Sequence, residues 1–151
     1  MRDIEEDYLN RMRHAVDCIH GNCDIEHRYG KAYGTYETDV SEWIIGWVIG
    51  REITPNEVQT TNSAHESDSA YRGEALAIEG ADAIEVWLTE MLDRLIRYER
   101  QNYGVERPVS FSNWPTLDPL DHVVEGSHYS YEDVASVDLS KIEKVDAPAG
   151  H

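Results

Sequence analysis

Lysine is nearly missing from this chain: only Lys31, Lys141 and Lys144 occur. In all, 13 basic side chains face 30 acidic ones, for a formal net charge of -17. Binding nucleic acid through its phosphates needs clustered cations that displace counterions, so that class of partner is excluded. The carboxylates are spread along the whole chain, a distribution that keeps a surface soluble where salt screens charge repulsion. Cysteine is scarce as well. Cys18 and Cys23 are too few for a disulfide framework and leave the redox compartment, and so the localisation, open. No run approaches the ~18 apolar residues of a membrane span. The first residues, MRDIEEDYLNRMRHAV, carry acids where a secretory signal has a basic start and an apolar middle. Internal repeats and low-complexity segments are absent.

What remains is 151 residues of which 40% are hydrophobic, with four Trp and nine Tyr, enough to bury one core. Ile4, Tyr8, Leu9, Met12, Ala15, Val16 and Ile19 recur every three or four positions, which predicts a helix over 3–20 stopped by Gly21 and Asn22. Residues 21–40 are rich in Gly and Tyr without either period and are expected to form a long structured loop. WIIGWVIG, residues 43–50, is a continuous apolar run that predicts a strand buried on both faces of a parallel sheet. Residues 53–80 are polar and irregular, consistent with a surface crossing that includes a short helix. Ile84, Trp87, Leu88, Met91, Leu95 and Tyr98 predict a helix from Ala83 to Tyr103 closed by Gly104. RPVSFSNW, residues 107–114, predicts a second strand, followed by a loop in which Pro115 and Pro119 block pairing. DVASVDL, residues 133–139, predicts a third, shorter strand. Helix, strand, helix, strand, loop, strand with long crossovers is the pattern of an α/β protein with parallel pairing. Three parallel strands alone leave open edges and bare faces, so residues 1–151 are expected to be a fragment of a single larger domain.

Glu52 is the sharpest chemical feature. It is expected to follow the apolar strand directly, and in parallel α/β folds the carboxyl ends of strands deliver reactive groups to one face. Apolar surroundings from Trp43 and Trp47 would suit it to act as a general acid. The competing assignment is a first-turn helix residue or an arginine partner.

On these residues, DVSEWIIGWVIGRE resembles the fourth-strand segment of clan A (β/α)8 glycosidases, above all glycoside hydrolase family 2. There an apolar strand of the type I-I-x-W-S-x-G-N-E ends in the acid/base glutamate. YERQNYGVERPVSFSNW is similar to the helix and Arg-Pro-Val entry into strand five, and Asp133 to Leu139 to the short sixth strand. The resemblance implies a partial (β/α)8 TIM barrel running from about helix 3 to strand 6. It implies a retaining hydrolysis of β-glycosidic bonds by two carboxylates about 5 Å apart, without a cofactor. Glu52 takes the acid/base role by this correspondence. The strand-seven nucleophile has no counterpart, so the piece alone is expected to be inactive, and its partners are a carbohydrate substrate and the remainder of the barrel.

Arg51 stands where the family has Asn, a fixed cation that would hold an acidic substrate group or depress the Glu52 carboxyl. Asn113 and Trp114, after the next strand, are expected at the same mouth to bind substrate, by amide hydrogen bonds and a flat apolar face. The alternative for Trp114 is packing under the Pro115–Pro119 loop. Asp118, Asp121, His122 and Glu125 crowd that loop, where a solvated acidic surface is the simpler assignment, and Tyr33 and Tyr36 are weaker candidates for the mouth. His14, Cys18, His20, Cys23 and His27 offer zinc-ligand types, but in no common spacing, and no metal is assigned. Glu79, Glu85, Glu90 and Glu99 are expected to form a wet helix face, with Glu90 and Arg94 as an i,i+4 pair. Two alternatives to the glycosidase remain: a non-catalytic carbohydrate-binding or interaction barrel, and a small zinc-stabilised α/β domain.

Overall fold

A computed structural model describes residues 4–120 and 135–145. The elements, in order, are α1 (Glu5–Ile19), β1 (Cys23–Ile25), β2 (Gly34–Tyr36), β3 (Trp47–Ile53), α2 (Pro55–Ala64), β4 (Ala70–Arg72), β5 (Leu76–Glu79), α3 (Ala83–Tyr103), β6 (Val109–Asn113) and β7 (Glu143–Lys144). The protein is mixed α/β, with three small sheets among the described residues. These are the antiparallel pair β1–β2, the parallel pair β3–β6, and an antiparallel sheet in the order β4–β5–β7.

α3 is the central element, and its ends follow from sequence. Asp82 precedes it with its N–H donating to the Glu85 carboxylate at 3.0 Å, and Gly104 ends it in the left-handed region at φ 69°. Ile84, Trp87, Leu88, Met91 and Leu95 form its buried stripe. Leu9 and Val16 of α1, Ile49 and Ile53 of β3 and Val58 of α2 pack against that stripe to make one core. At about 25 cal/mol per Å2 of apolar surface removed from water, burial of this stripe stabilises the fold.

The parallel pair is the expected order of strands, β3 to β6 across a crossover that contains α2 and α3. Several particulars differ from expectation. β3 begins at Trp47, after a 3-10 turn at Ser41–Trp43, and leaves Ile45 91% exposed. Only one face of β3 is covered: Ile49 and Ile53 are buried while Val48 is 68% exposed. The continuous apolar run therefore does not mark a strand buried on both sides. The expected loop at 21–40 contains the β1–β2 hairpin, and the irregular 53–80 stretch holds the β4–β5 hairpin besides α2.

The third parallel strand is overturned. Residues 133 and 134 lie outside the described residues, and 135–138 form no strand. Leu139–Lys141 is a 3-10 turn, and the strand that follows, β7, pairs antiparallel with β5. Apolar alternation there reflects a different anchor: Val137 is buried, its N–H donating to the Leu117 carbonyl at 2.8 Å. Among the described residues no barrel is formed, and no helix is long and apolar enough to cross a membrane.

The wet glutamate face is also a correction. Glu85, Glu90 and Glu99 are buried, at 2%, 8% and 1% exposure, whereas Glu79 is exposed at the end of β5. Partners elsewhere in the fold satisfy the buried carboxylates. Glu85 accepts from the Asp138 N–H at 2.7 Å and from Lys141 Nζ at 3.2 Å, fastening the 137–141 segment to α3. Glu90 does pair with Arg94, at 2.5 Å.

Asp93 of α3, fully buried, holds the β4–β5 turn. It accepts from the N–H groups of Ala75 (2.7 Å) and Leu76 (2.9 Å) and from the Tyr71 hydroxyl (3.0 Å). Burial, and then the adjacent Asp93 carboxylate, push the Tyr71 phenol up to about 12. Gly73 lies against this carboxylate so closely that a Cβ would overlap it. Gly73→Ala is accordingly expected to lower unfolding free energy by about 1–3 kcal/mol. Chemical denaturation of the two proteins measures the difference, and an unchanged midpoint would refute the close approach.

Candidate functional site

The carboxyl ends of β3 and β6 lie side by side. Ile53 is opposite Asn113, and the Trp114 N–H donates to the Ile53 carbonyl at 2.9 Å. Just before this point the register breaks. Ile49 pairs with Phe111 and Ile53 with Asn113, so Gly50, Arg51 and Glu52 on β3 span the interval that Ser112 alone spans on β6. Gly50 takes φ 80°, a conformation open to glycine, and a Cβ there would stand 3.1 Å from the Tyr8 hydroxyl. The bulge sets Arg51 and Glu52 outward, and both are exposed.

Glu52 thus lies within the last residues of β3 rather than after it, and Trp43, expected as part of its apolar surroundings, is 66% exposed. Arg51 is committed elsewhere. Its guanidinium pairs with Glu57 at 2.5 Å and donates to the Glu52 backbone carbonyl at 3.3 Å. Glu57 is held in turn by α2: its carboxylate accepts from the Thr54 N–H and hydroxyl, both at 2.9 Å, and its own N–H donates to the Thr54 hydroxyl at 3.4 Å. A capping box therefore carries the counter-ion for Arg51. Its sequence signature, Thr-Pro-Asn-Glu at 54–57, is a local signal that reading by periodicity passes over.

Asn113 is half-buried at the end of β6. Trp114 is half-buried too, packed against the core, with its carbonyl accepting from the Leu117 N–H at 3.0 Å. Glu52, Asn113 and Trp114 share the carboxyl end of the parallel pair, and the Trp114 ring serves the core as well. Asp118 caps the next turn, accepting from the Leu120 N–H at 2.9 Å, while Asp121, His122 and Glu125 lie outside the described residues.

Tyr33 and Tyr36 belong to the β1–β2 segment, which follows the C-terminal end of α1 and connects there through the His20–Asp39 bridge. That end of α1 meets the amino end of β3, because His20 and Trp47 share Glu99. The two tyrosines therefore do not join Glu52. His14, Cys18, His20, Cys23 and His27 do not converge as one group: His20 contacts Glu99 and stacks on Tyr103, and His27 packs edge-on against Tyr33. Among the described residues no three metal-ligating side chains cluster.

A second feature is not legible from sequence. A cavity of about 560 Å3 lies between α1 and β3, lined by Tyr8, Met12, Trp47, Gly50, Arg51 and Trp87 among others. Tyr8 and Trp87 meet at 5.1 Å between ring centroids, and burial pushes the Tyr8 phenol up to about 12. The Trp87 indole N–H, fully buried, has no hydrogen-bond partner among the described residues. An apolar-walled space with a few polar groups is the usual character of a small-molecule site. Periodicity assigns Trp87 to a helix face but says nothing of a void beside it.

Set against family models, curated proteins and solved structures, the chain matches none.

Proposed function

We propose that this chain carries the acid/base side of a retaining β-glycosidase site, on a portion of a (β/α)8 barrel in which β3 and β6 stand as the fourth and fifth strands. The observation that supports this most is the parallel pairing of β3 with β6, with Glu52, Asn113 and Trp114 at one strand end. Antiparallel pairing, or Glu52 at the amino end, would have been incompatible with it. The bare outer face of β3, with Val48 exposed, also fits a strand whose neighbours extend beyond those described, since parallel strands normally have both faces covered.

In this reading Glu52 donates its proton to the glycosidic oxygen as the leaving group departs, and later removes a proton from the attacking water. Asn113 hydrogen-bonds a sugar hydroxyl beside it, and Trp114 supplies the apolar edge of the subsite. Arg51, neutralised by Glu57, does not hold Glu52 as an ion-pair partner and presents its remaining N–H groups to substrate. One carboxylate cannot both form the glycosyl-enzyme and protonate the leaving group. The 151-residue chain is therefore expected to bind β-glycosides without hydrolysing them. Titration with a panel of aryl β-glycosides, followed by NMR, should shift the Asn113 side-chain amide and the Trp114 indole N–H saturably. A panel that moves neither would remove the proposal.

The cavity favours a second reading, a binding domain without catalysis. Its aromatic walls and the Trp87 N–H, without a partner among the described residues, suit a small uncharged ligand with one acceptor. In that case the titration shifts Trp87 and Tyr8 instead, and Glu52→Gln changes nothing.

A further inference from the structure

The two cysteines are the chemistry-bearing groups that neither reading uses. α1 ends in a paired turn in which the Asn22 N–H donates to the Asp17 carbonyl at 2.9 Å and the Gly21 N–H to the Cys18 carbonyl at 3.2 Å. This double closure, with Gly21 at φ 68°, is the Schellman arrangement, and it folds the chain back over the last helical turn. Cys18 lies in that last turn, and Cys23 is the first residue after the reversal, opening β1 opposite Tyr36. The turn has little freedom to relax, because a Cβ on Gly21 would come within 2.8–2.9 Å of backbone atoms of residues 37–39. The reversal consequently brings Cys23 back beside Cys18, close enough for the two thiols to interact, and both residues are half-buried rather than sealed in the core.

We propose that Cys18 and Cys23 form a dithiol site that exchanges with a small-molecule disulfide of the glutathione type, ending in an intramolecular bridge across the end of α1. Two thiols held by a rigid turn at the surface edge of a fold are placed for this reaction, whereas a lone buried cysteine is inert. In the first step the Cys23 thiolate attacks one sulfur of glutathione disulfide and expels a glutathione thiolate. In the second, Cys18 loses its proton to solvent and attacks the Cys23 sulfur, expelling the second glutathione thiolate. The protein loses two protons and two electrons, and one disulfide becomes two glutathione thiols.

The roles are unequal. Burial first, then Cys23 and the Asp17 carboxylate, push the Cys18 thiol up to about 12, so Cys18 is the resolving partner. Asp17 also accepts from the Tyr98 and Tyr103 hydroxyls, so its negative charge is fixed beside Cys18. The second step is accordingly the slower one at neutral pH and accelerates as pH rises.

The site is independent of the glycosidase reading, and its test does not touch Glu52. The chain is incubated at about pH 7.5 in glutathione mixtures from fully reduced to fully oxidised, quenched with iodoacetamide, and weighed intact. The expected oxidised product is monomeric, two hydrogens lighter, free of bound glutathione and closed to iodoacetamide, with the link mapped to 18–23. Cys18→Ser is expected to stop as the glutathione mixed disulfide, and Cys23→Ser, left with the raised Cys18 thiol, to take up glutathione far more slowly. Both substitutions lie at half-exposed positions, and circular dichroism confirms that the variants fold. A wild-type chain that stays open to iodoacetamide in excess glutathione disulfide would overturn the proposal. So would one that retains glutathione as the Cys18→Ser variant does, or that links between molecules.

Discussion

Glu52→Gln is expected to slow hydrolysis of β-glycosides with poor leaving groups by about 10²–10⁴-fold, measured in a polypeptide that joins this chain to the nucleophile. Dinitrophenyl glycosides, whose leaving group departs without a proton, should lose far less in the glycosylation step. Glutamine keeps the size and one hydrogen-bond acceptor of the carboxyl but has no proton to give, so the contrast between the two substrates isolates acid catalysis from packing. Because Glu52 is exposed on a bulge and is no part of the core, the variant should fold with unchanged stability. Equal losses on both substrates, or none on either, would remove Glu52 from the acid role.

The largest expected loss of stability comes from the opposite end of the parallel pair. Glu99, 1% exposed on α3, accepts from Trp47 Nε1 at 3.0 Å, contacts His20 Nε2 at 3.1 Å, and pairs with the Arg107 guanidinium. Arg107 also donates to the Ile44 carbonyl at 2.9 Å and the Ser41 carbonyl at 2.7 Å. One carboxylate thus joins the end of α1, the 41–44 segment, the start of β3 and the entry to β6. Glu99→Ala leaves the Arg107 cation, its side chain only 9% exposed, without its anion, which should cost about 3–5 kcal/mol of unfolding free energy. Urea denaturation measures it. Replacing both partners, Glu99→Leu with Arg107→Met, should recover a large part of the loss, because no buried charge is then left alone. A double variant as unstable as Glu99→Ala would show that packing, not charge, dominates there.

The contrast between these two carboxylates explains how much of the fold was legible. α3 could be placed to the residue because two local signals agree, apolar spacing and Gly104 at the end, and the structure adds the Asp82–Glu85 cap at its start. Parallel pairing of β3 with β6 followed from the length of the crossover between them. The 133–139 reading failed because alternation states which side chains turn inward but not which segment they turn toward. Val137 is buried against the Leu117 segment, under the hold of Glu85 on the Asp138 N–H, and needs no ladder. Glu85 and Glu99 were misplaced for a related reason. A carboxylate at helical spacing looks solvated until its partners are known, and Asp138 and Lys141 for Glu85, like Trp47 for Glu99, lie 52 to 56 residues away along the chain.

At the candidate site, Glu52 and Asn113 were placed at one strand end by chain order alone. The bulge at Gly50 that turns Arg51 and Glu52 outward, and the Thr54–Glu57 cap that holds Arg51, are local features that reading by periodicity passes over. The cavity beside Trp87 and the meeting of Cys18 with Cys23 needed coordinates, since each depends on how α1 lies against another segment.

Among the described residues, the margin of β3 away from β6 pairs with no strand, and this has a colloidal consequence. A row of unclaimed amides beside exposed Val48 is an adhesive rim, able to template stacking of one molecule on the next. A chain of net charge -17 repels its own copies, and that repulsion opposes the spread of the rim into fibres.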